Sequence, residues 1–386
     1  MRFAGVRTAT AALSCLIAGC SLLGALRHPA AAPAAPVSPG APQEPLPLAN
    51  ERFELEAAQD VVGVVQVVRA TKDDTLTDIA RRFNVGYEEL LRANPKVDPW
   101  LPGEGREIVV PTQFILPDAP RAGLGIGKVG WRTPEGVTKI VRRQKDPTWR
   151  VPESVRKEHH DNGEDLDPVI GPGPENPLGK YAFYLQWPSY LIHGTNKPAG
   201  VGLRSSHGCI RLYPEDIQQF YDLVPIGTQV RVVNQPFVFG WRDAQLYMQP
   251  FDVLEDDTRD WAKAQRKLLS SSLAARLQRE LQAQKERVDW SLIASLASNP
   301  RGVPVPITDS AATMEQVLAA APRVRNVLPE GSTWDGKSDL PMDEASFKQM
   351  LSETEPAAPG EEGGAAGADA PGAAAKTQPL RPKNGG

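Results

Sequence analysis

An α+β fold spread over several domains is the expectation for this chain, and three observations carry it. Its 386 residues are enough for two or three domains. The 37 prolines and 33 glycines are unevenly placed and mark linkers and a tail. Between them the apolar pattern changes period, from strand-like runs to helical spacing and back over 63–112, mixed over 113–236, and helical beyond Tyr247. With 43 basic against 47 acidic residues, the net charge of -4 offers no basic surplus for nucleic acid. An aromatic content of 6% fits substantial unstructured segments.

Residues 1–20 have the form of an export signal: Arg2 and Arg7, an uncharged run from Thr8, and Ile17-Ala18-Gly19-Cys20 at its end. That ending resembles the bacterial lipoprotein box, which implies that Cys20 is lipidated and becomes the mature N-terminus. The alternative is an uncleaved anchor, because the 19 residues between Arg7 and Arg27 carry no charge and a span needs ~20. Either way the rest of the chain is exported. The linker over 21–62 has prolines at 29, 33, 36, 39, 42, 45 and 47 and favours extended polyproline conformation at ~3.1 Å per residue.

Over 63–112 an apolar strand, Val64 to Val68, leads through Asp73-Asp74-Thr75 into Leu76, Ile79, Ala80 and Phe83 at helical spacing. A second helix carries Leu90 and Leu91 and stops at Asn94-Pro95, and Ile108-Val109-Val110 returns as a strand. This βααβ order, with Asp-Asp-Thr-Leu, Ile-Ala-Arg-Arg-Phe-Asn-Val and Ala-Asn-Pro, resembles the LysM domain. The resemblance implies binding to N-acetylglucosamine-containing glycans such as peptidoglycan.

The chemistry concentrates between His193 and Arg211, which hold two of the five histidines and one of the three cysteines. Taken singly, either residue reads as structural. Together they read as a thiol nucleophile and an imidazole that takes its proton, with His193 and His207 both candidates for the base. Gly208 removes a side chain beside Cys209 and leaves backbone N–H groups available to an oxyanion. With Cys15 removed and Cys20 acylated, Cys209 is the one remaining thiol, and an unpaired thiol in an oxidising compartment points to catalysis. Zinc is the alternative chemistry, but His-x-Cys with one distant His fits neither structural nor catalytic zinc spacing, and His159-His160 are adjacent. No metal or cofactor is expected.

His193, a spacer, and Ser206-His207-Gly208-Cys209 resemble the signature of the L,D-transpeptidase (YkuD-like) catalytic domain, a mainly β fold. The resemblance implies that Cys209 is the nucleophile and His193 its base and later proton donor. The Gly194 carbonyl would orient the imidazole, and His207, Ser206 and Gly208 would line the oxyanion side. Arg211 stands where many members carry Asn, and the lipoprotein-attaching ErfK/YbiS branch favours Arg. Further pieces of the same family are Leu124-Gly125-Ile126-Gly127, Gly130 to Gly136, Asp146-Pro147-Thr148-Trp149 and Gly173 to Gly179. One departs: in relatives a strand hairpin follows Pro117-Asp118-Ala119-Pro120-Arg121, and here only Ala122 and Gly123 fill the gap, so an uncovered sheet edge is expected, the alternative being that Gly123 to Val129 or part of the C-terminal region covers it.

After Cys209, Pro214-Glu215-Asp216 opens a helix, proline in the first turn and acids near its positive end. Ile217, Phe220, Tyr221 and Val224 mark its apolar face, Pro225 ends it, and Gln229 to Val233 is a strand. The region 237–351 is expected to be helical, with a long amphipathic helix through Trp261, Leu268, Leu273, Leu277 and Leu281 and a shorter one opened by Asp289-Trp290. The tail 352–386, rich in Ala, Gly and Pro, is expected to be disordered.

The resemblances together imply a lipid-anchored periplasmic enzyme, with an outer-membrane anchor, whose partners are peptidoglycan glycan strands and tetrapeptide stems. Its acyl-enzyme would pass to a diaminopimelate side chain, giving 3-3 cross-links, or to a lysine of an outer-membrane lipoprotein. The rival readings are an L,D-carboxypeptidase with water as acceptor, a non-catalytic peptidoglycan-binding lipoprotein, and a structural surface lipoprotein.

Overall fold

The computed structural model describes residues 53, 55, 59–127, 133–161, 163, 165–203, 208–254, 257, 272–308 and 311–336. The export signal with Cys20, most of the linker, Gly130 to Arg132, Ser206, His207, Trp261, Leu268 and the tail lie outside the described residues.

The N-terminal module contains β1 (Val61–Gly63), β2 (Gln66–Arg69), α1 (Leu76–Arg82), α2 (Tyr87–Ala93), β3 (Glu107–Val110) and β4 (Gln113–Ile115). Thr75 caps α1 by accepting from the Asp78 N–H while the Asp78 carboxylate accepts from the Thr75 N–H, a reciprocal capping box. Leu76, Ile79, Phe83 and Leu90 then pack fully buried beneath the antiparallel pair β2–β3. The paired strand begins at Gln66, two residues later than the apolar run suggests. Gln66 is itself buried, its side-chain amide donating to Thr112 Oγ1 at 2.8 Å. β1 and β4 pair antiparallel and close the module's neck.

Next come β5 (Leu124–Gly127), β6 (Gly136–Lys145), β7 (Trp149–Arg150), α3 (Glu153–Asp161), β8 (Val169–Ile170), β9 (Tyr181–Leu185), β10 (Leu191–His193), β11 (Ile210–Arg211), α4 (Pro214–Leu223) and β12 (Gln229–Val233). A six-stranded sheet in the order β11-β10-β9-β6-β12-β5 is parallel at both ends and antiparallel in the middle. Ile140, Phe183, Ile192, Ile210, Val230 and Val232 form its core with Ile217 of α4. Phe220 does not join that face: it lies 38% exposed, because Ile217 and Val224 already fill the space against the sheet.

The expected uncovered edge is corrected on one side. β5 pairs in parallel along β12, from Val230 opposite Leu124 to Val233 opposite Gly127, and packs Leu124 and Ile126 against the core. Four residues after Gly123 thus take the edge position.

Beyond the sheet, β13 (Phe237–Arg242) and β14 (Gln245–Pro250) make a hairpin, which corrects the helical expectation for the first part of the region 237–351. Then follow α5 (Ser272–Gln284), α6 (Trp290–Ser298), β15 (Val305–Pro306) and α7 (Met314–Ala320). Asp289 caps α6 as its position suggests, accepting from the Leu292 N–H at 2.9 Å. Among the described residues no helix is long and apolar enough to cross a membrane.

Candidate active site

His193 ends β10 and Cys209 immediately precedes β11, the parallel neighbour of β10. The register pairs Ile192 with Ile210 and His193 with Arg211. Because side chains alternate along a strand, Ile192 and Ile210 turn into the core while His193 and Arg211 share the opposite face, the face on which Cys209 continues the pattern. Sheet register, rather than nearness in sequence, thus sets the histidine and the cysteine on adjoining segments of the sheet.

His193 is fully buried. Its Nδ1 lies 2.6 Å from the Gly194 carbonyl oxygen. A carbonyl can only accept, so Nδ1 carries the proton and Nε2 presents a lone pair. That Nε2 is buried with no hydrogen-bond partner among the described residues. Burial, with the Arg211 cation beside it, drives His193 down to about 3, against a smaller opposing pull from the Gly194 bond.

Cys209 is 6% exposed and forms no disulfide among the described residues. Its thiol donates to the Ser189 carbonyl at 3.7 Å. Burial pushes the thiol up to about 11, while a Leu191 backbone hydrogen bond and Arg211 pull the other way. Both groups are therefore neutral at rest, and burial, not mutual charge, sets their state. Arg211 is the cation adjacent to both, and its Nη1 donates to the Gly200 carbonyl at 3.3 Å.

Gly208 has φ +108, a conformation L side chains rarely adopt, which explains the glycine before the cysteine. Its carbonyl accepts from the buried Thr133 hydroxyl at 3.2 Å. Thr133 belongs to the family-like piece Gly130 to Gly136 but has no role of its own in the sequence expectations, and Ser189 does not figure in them. Ser189, with φ 66 in the Pro188-Ser189 turn, had a turn signal but no signal of its contact to the thiol. Ser206 and His207 lie outside the described residues. No group of three or more His, Cys, Asp or Glu side chains able to hold a metal occurs among the described residues.

Comparison with known proteins follows the same division. Residues 114–232 match the L,D-transpeptidase catalytic domain model and residues 68–111 the LysM domain model. The chain is 37% identical over 207 residues to the "Probable L,D-transpeptidase ErfK/SrfK" of Salmonella typhimurium, covering 47% of this chain and 67% of that protein. The chain belongs to the L,D-transpeptidase family. Similarity extends to two Escherichia coli K12 proteins, the "Probable L,D-transpeptidase YbiS" (36% over 203 residues, 46% of this chain and 66% of the other) and the "Probable L,D-transpeptidase YcfS" (35% over 246 residues, 55% and 75%). These relatives place the chain in the ErfK/YbiS branch. The chain spans about two thirds of the length of such relatives. Among solved structures it resembles L,D-transpeptidase 3 from Mycobacterium tuberculosis, at 23% identity, 29% of this chain, 44% of the other and a TM-score of 0.21.

Proposed function

We propose that this protein is a peptidoglycan L,D-transpeptidase working through a Cys209 thioester. The observation that carries the reading is the His193 tautomer, with Nδ1 held on Gly194 and a bare Nε2 on the face shared with Cys209. Cys209 Sγ attacks the carbonyl carbon of the third stem-peptide residue while its proton passes to His193 Nε2. With the thiol near 11 and the imidazole near 3 at rest, transfer accompanies attack instead of preceding it. The imidazolium then protonates the departing D-alanine amine as the C–N bond breaks. An acceptor amine attacks the thioester carbon and gives its proton to His193; the C–S bond breaks, and the imidazolium returns that proton to the departing Cys209 sulfur.

Gly208, with Ser206 and His207, is assigned to the oxyanion side, and Arg211 to the developing negative charge. The acceptor is a diaminopimelate amine, giving a 3-3 cross-link, or a lipoprotein lysine, the choice favoured by Arg211 and the branch. The LysM domain brings the site to glycan strands, and Cys20 carries a lipid anchor that holds the exported protein at the outer membrane.

Intact-mass analysis of the chain lacking residues 1–20, incubated with tetrapeptide muropeptides, tests this. A covalent adduct equal to the stem less D-alanine is expected on the parent chain, with or without EDTA, and none on Cys209→Ala. An adduct that survives Cys209→Ala, or that EDTA abolishes, overturns the assignment. Added amine should convert the adduct to a cross-linked product; exclusive conversion by water would make the enzyme a carboxypeptidase.

A further inference from the structure

The LysM helices hold the polypeptide on both sides of Cys209. Upstream, the Val201 carbonyl accepts from the Tyr87 N–H at 3.3 Å. Gly202, at φ +82, lies so close to α2 that a Cβ there would stand 2.5 Å from Gly86 Cα and 2.8 Å from Tyr87 N. Leu203, six residues before the cysteine, packs against the LysM core that contains Phe83 and Leu90. Downstream, Tyr213 is 4% exposed and donates its hydroxyl to the Val85 carbonyl at 2.9 Å. Arg81 lies 4.8 Å from the centroid of the Tyr213 ring and makes a two-pronged ion pair with Glu215, the two side chains 6% and 8% exposed. Asn84 adds a hydrogen bond to Asp216 at 3.2 Å. Arg211 ties the two flanks together through the Gly200 carbonyl.

We propose that the LysM helix pair is a positioning element of the transpeptidase site: anchored through Leu203 upstream and Tyr213 and Arg81–Glu215 downstream, it fixes where the Cys209 thiol sits relative to His193. A module that only tethered the enzyme to glycan would not need these contacts. They join partners that lie 114 or more residues apart in sequence, from Tyr87 with Val201 to Arg81 with Glu215, and they converge on the stretch that holds the nucleophile. A buried ion pair adds little net stability but rejects alternative placements, which suits a positioning contact. The proposal rests on Cys209 being the nucleophile.

The test uses the chain lacking residues 1–20 and two independent variants. Leu203→Ala loosens the upstream anchor. The double change Arg81→Met with Glu215→Leu removes the downstream pair without stranding a buried charge. Val109→Ala, on the LysM face turned towards the C-terminal region, serves as a control for loss of LysM stability. Two readouts are taken on folded protein, the pH profile of Cys209 alkylation by iodoacetamide and the steady-state constants for thioester formation with a tetrapeptide stem. Both anchor variants should alkylate severalfold faster at pH 8, with a thiol profile moved down towards the ordinary ~8.5. Their kcat should fall about tenfold or more with KM unchanged, as expected when a reacting group is misplaced. Val109→Ala should change neither. If it moves both readouts as far as the anchor variants do at equal loss of Tm, or if both anchor variants behave as the parent chain, the proposal is overturned. A parent chain that never acylates would sink the transpeptidase reading, while the alkylation profiles would still decide the positioning role.

Discussion

Two buried titratable groups pull the pH dependence of stability in opposite directions. His193 is held at about 3 in the fold against 6.5 when unfolded, so between those values the unfolded chain binds a proton that the native state refuses. Acidification therefore weakens the fold through His193. Asp216 is raised from 3.8 to about 6, chiefly by burial, which outweighs the Asn84 hydrogen bond; Glu215 adds a lesser upward push and Arg81 a lesser downward pull. Here the native state takes up the proton first, and acidification strengthens the fold. From pH 7 to 4.5 the first effect costs about 2 to 3 kcal/mol and the second contributes about 2 kcal/mol, at 1.36 kcal/mol per pKa unit. Urea unfolding at both pH values should show His193→Asn losing less stability on acidification than the parent chain, and Asp216→Asn losing more. Parallel pH slopes for all three proteins would reject these burial effects. The identities of both groups were open to inspection in the sequence, and His193 was singled out there. Their environments were not, because His193 sits in a paired strand and Asp216 accepts a hydrogen bond from Asn84, 132 residues upstream in the LysM module.

At the scale of elements, the most exposed dependence is β5. It stands where an uncovered edge was expected, and its Leu-Gly-Ile-Gly pattern explains how so short a strand can do this: Leu124 and Ile126 face the core, while Gly125 and Gly127 are exposed. Entry into the strand depends on Gly123, whose φ is +78 and where an added Cβ would lie 2.3 Å from the Gln229 carbonyl oxygen. Gly123→Ala should therefore lower Tm by several degrees, for a cost of about 1 to 3 kcal/mol from strain and a displaced strand. Gly125→Ala, whose Cβ would meet only Pro117 Cγ at an ordinary 3.6 Å, should leave Tm level or raise it slightly, since alanine loses less chain entropy than glycine. Equal effects of the two substitutions would show that β5 is not docked on β12. Helices announced themselves better than strands, because Thr75 with Asp78, Pro214 and Asp289 are local signals. The β13–β14 hairpin went unread because its side chains bury in alternation against a distant cluster, and its turn at Asp243 and Ala244, both at positive φ, lacks the glycine that marks such turns.

At the scale of the molecule, the LysM domain is enclosed, not appended. One face of β2–β3 covers its own helices, and Val65, Val67 and Val109 on the other meet Leu246, Ile293 and Val305 of the C-terminal region in a single cluster. The chain at 322–324 lies along β2, where the Val67 N–H donates to the Pro322 carbonyl and the Val324 N–H to the Val67 carbonyl, each at 2.9 Å. Gln249 of β14 accepts from the Ile115 N–H at the module's neck, and the start of α4 holds the module through Tyr213 just before it, bonded to the Val85 carbonyl, and Glu215 within it, paired with Arg81 of α1. A module excised as 63–112 would turn the valine face and these polar anchors into water together, so glycan binding by the fragment is a poor measure of the domain in place. Calorimetry of the chain lacking residues 1–20 should show LysM and the catalytic sheet melting in one transition, and the Val67 amide should exchange as slowly as those of β9 and β10. Truncation after residue 308 removes both Val67 partners and should speed exchange at Val67 by more than it does at β9. An early, separate LysM transition in the longer chain, or a Val67 amide indifferent to the truncation, would show that the module is only tethered.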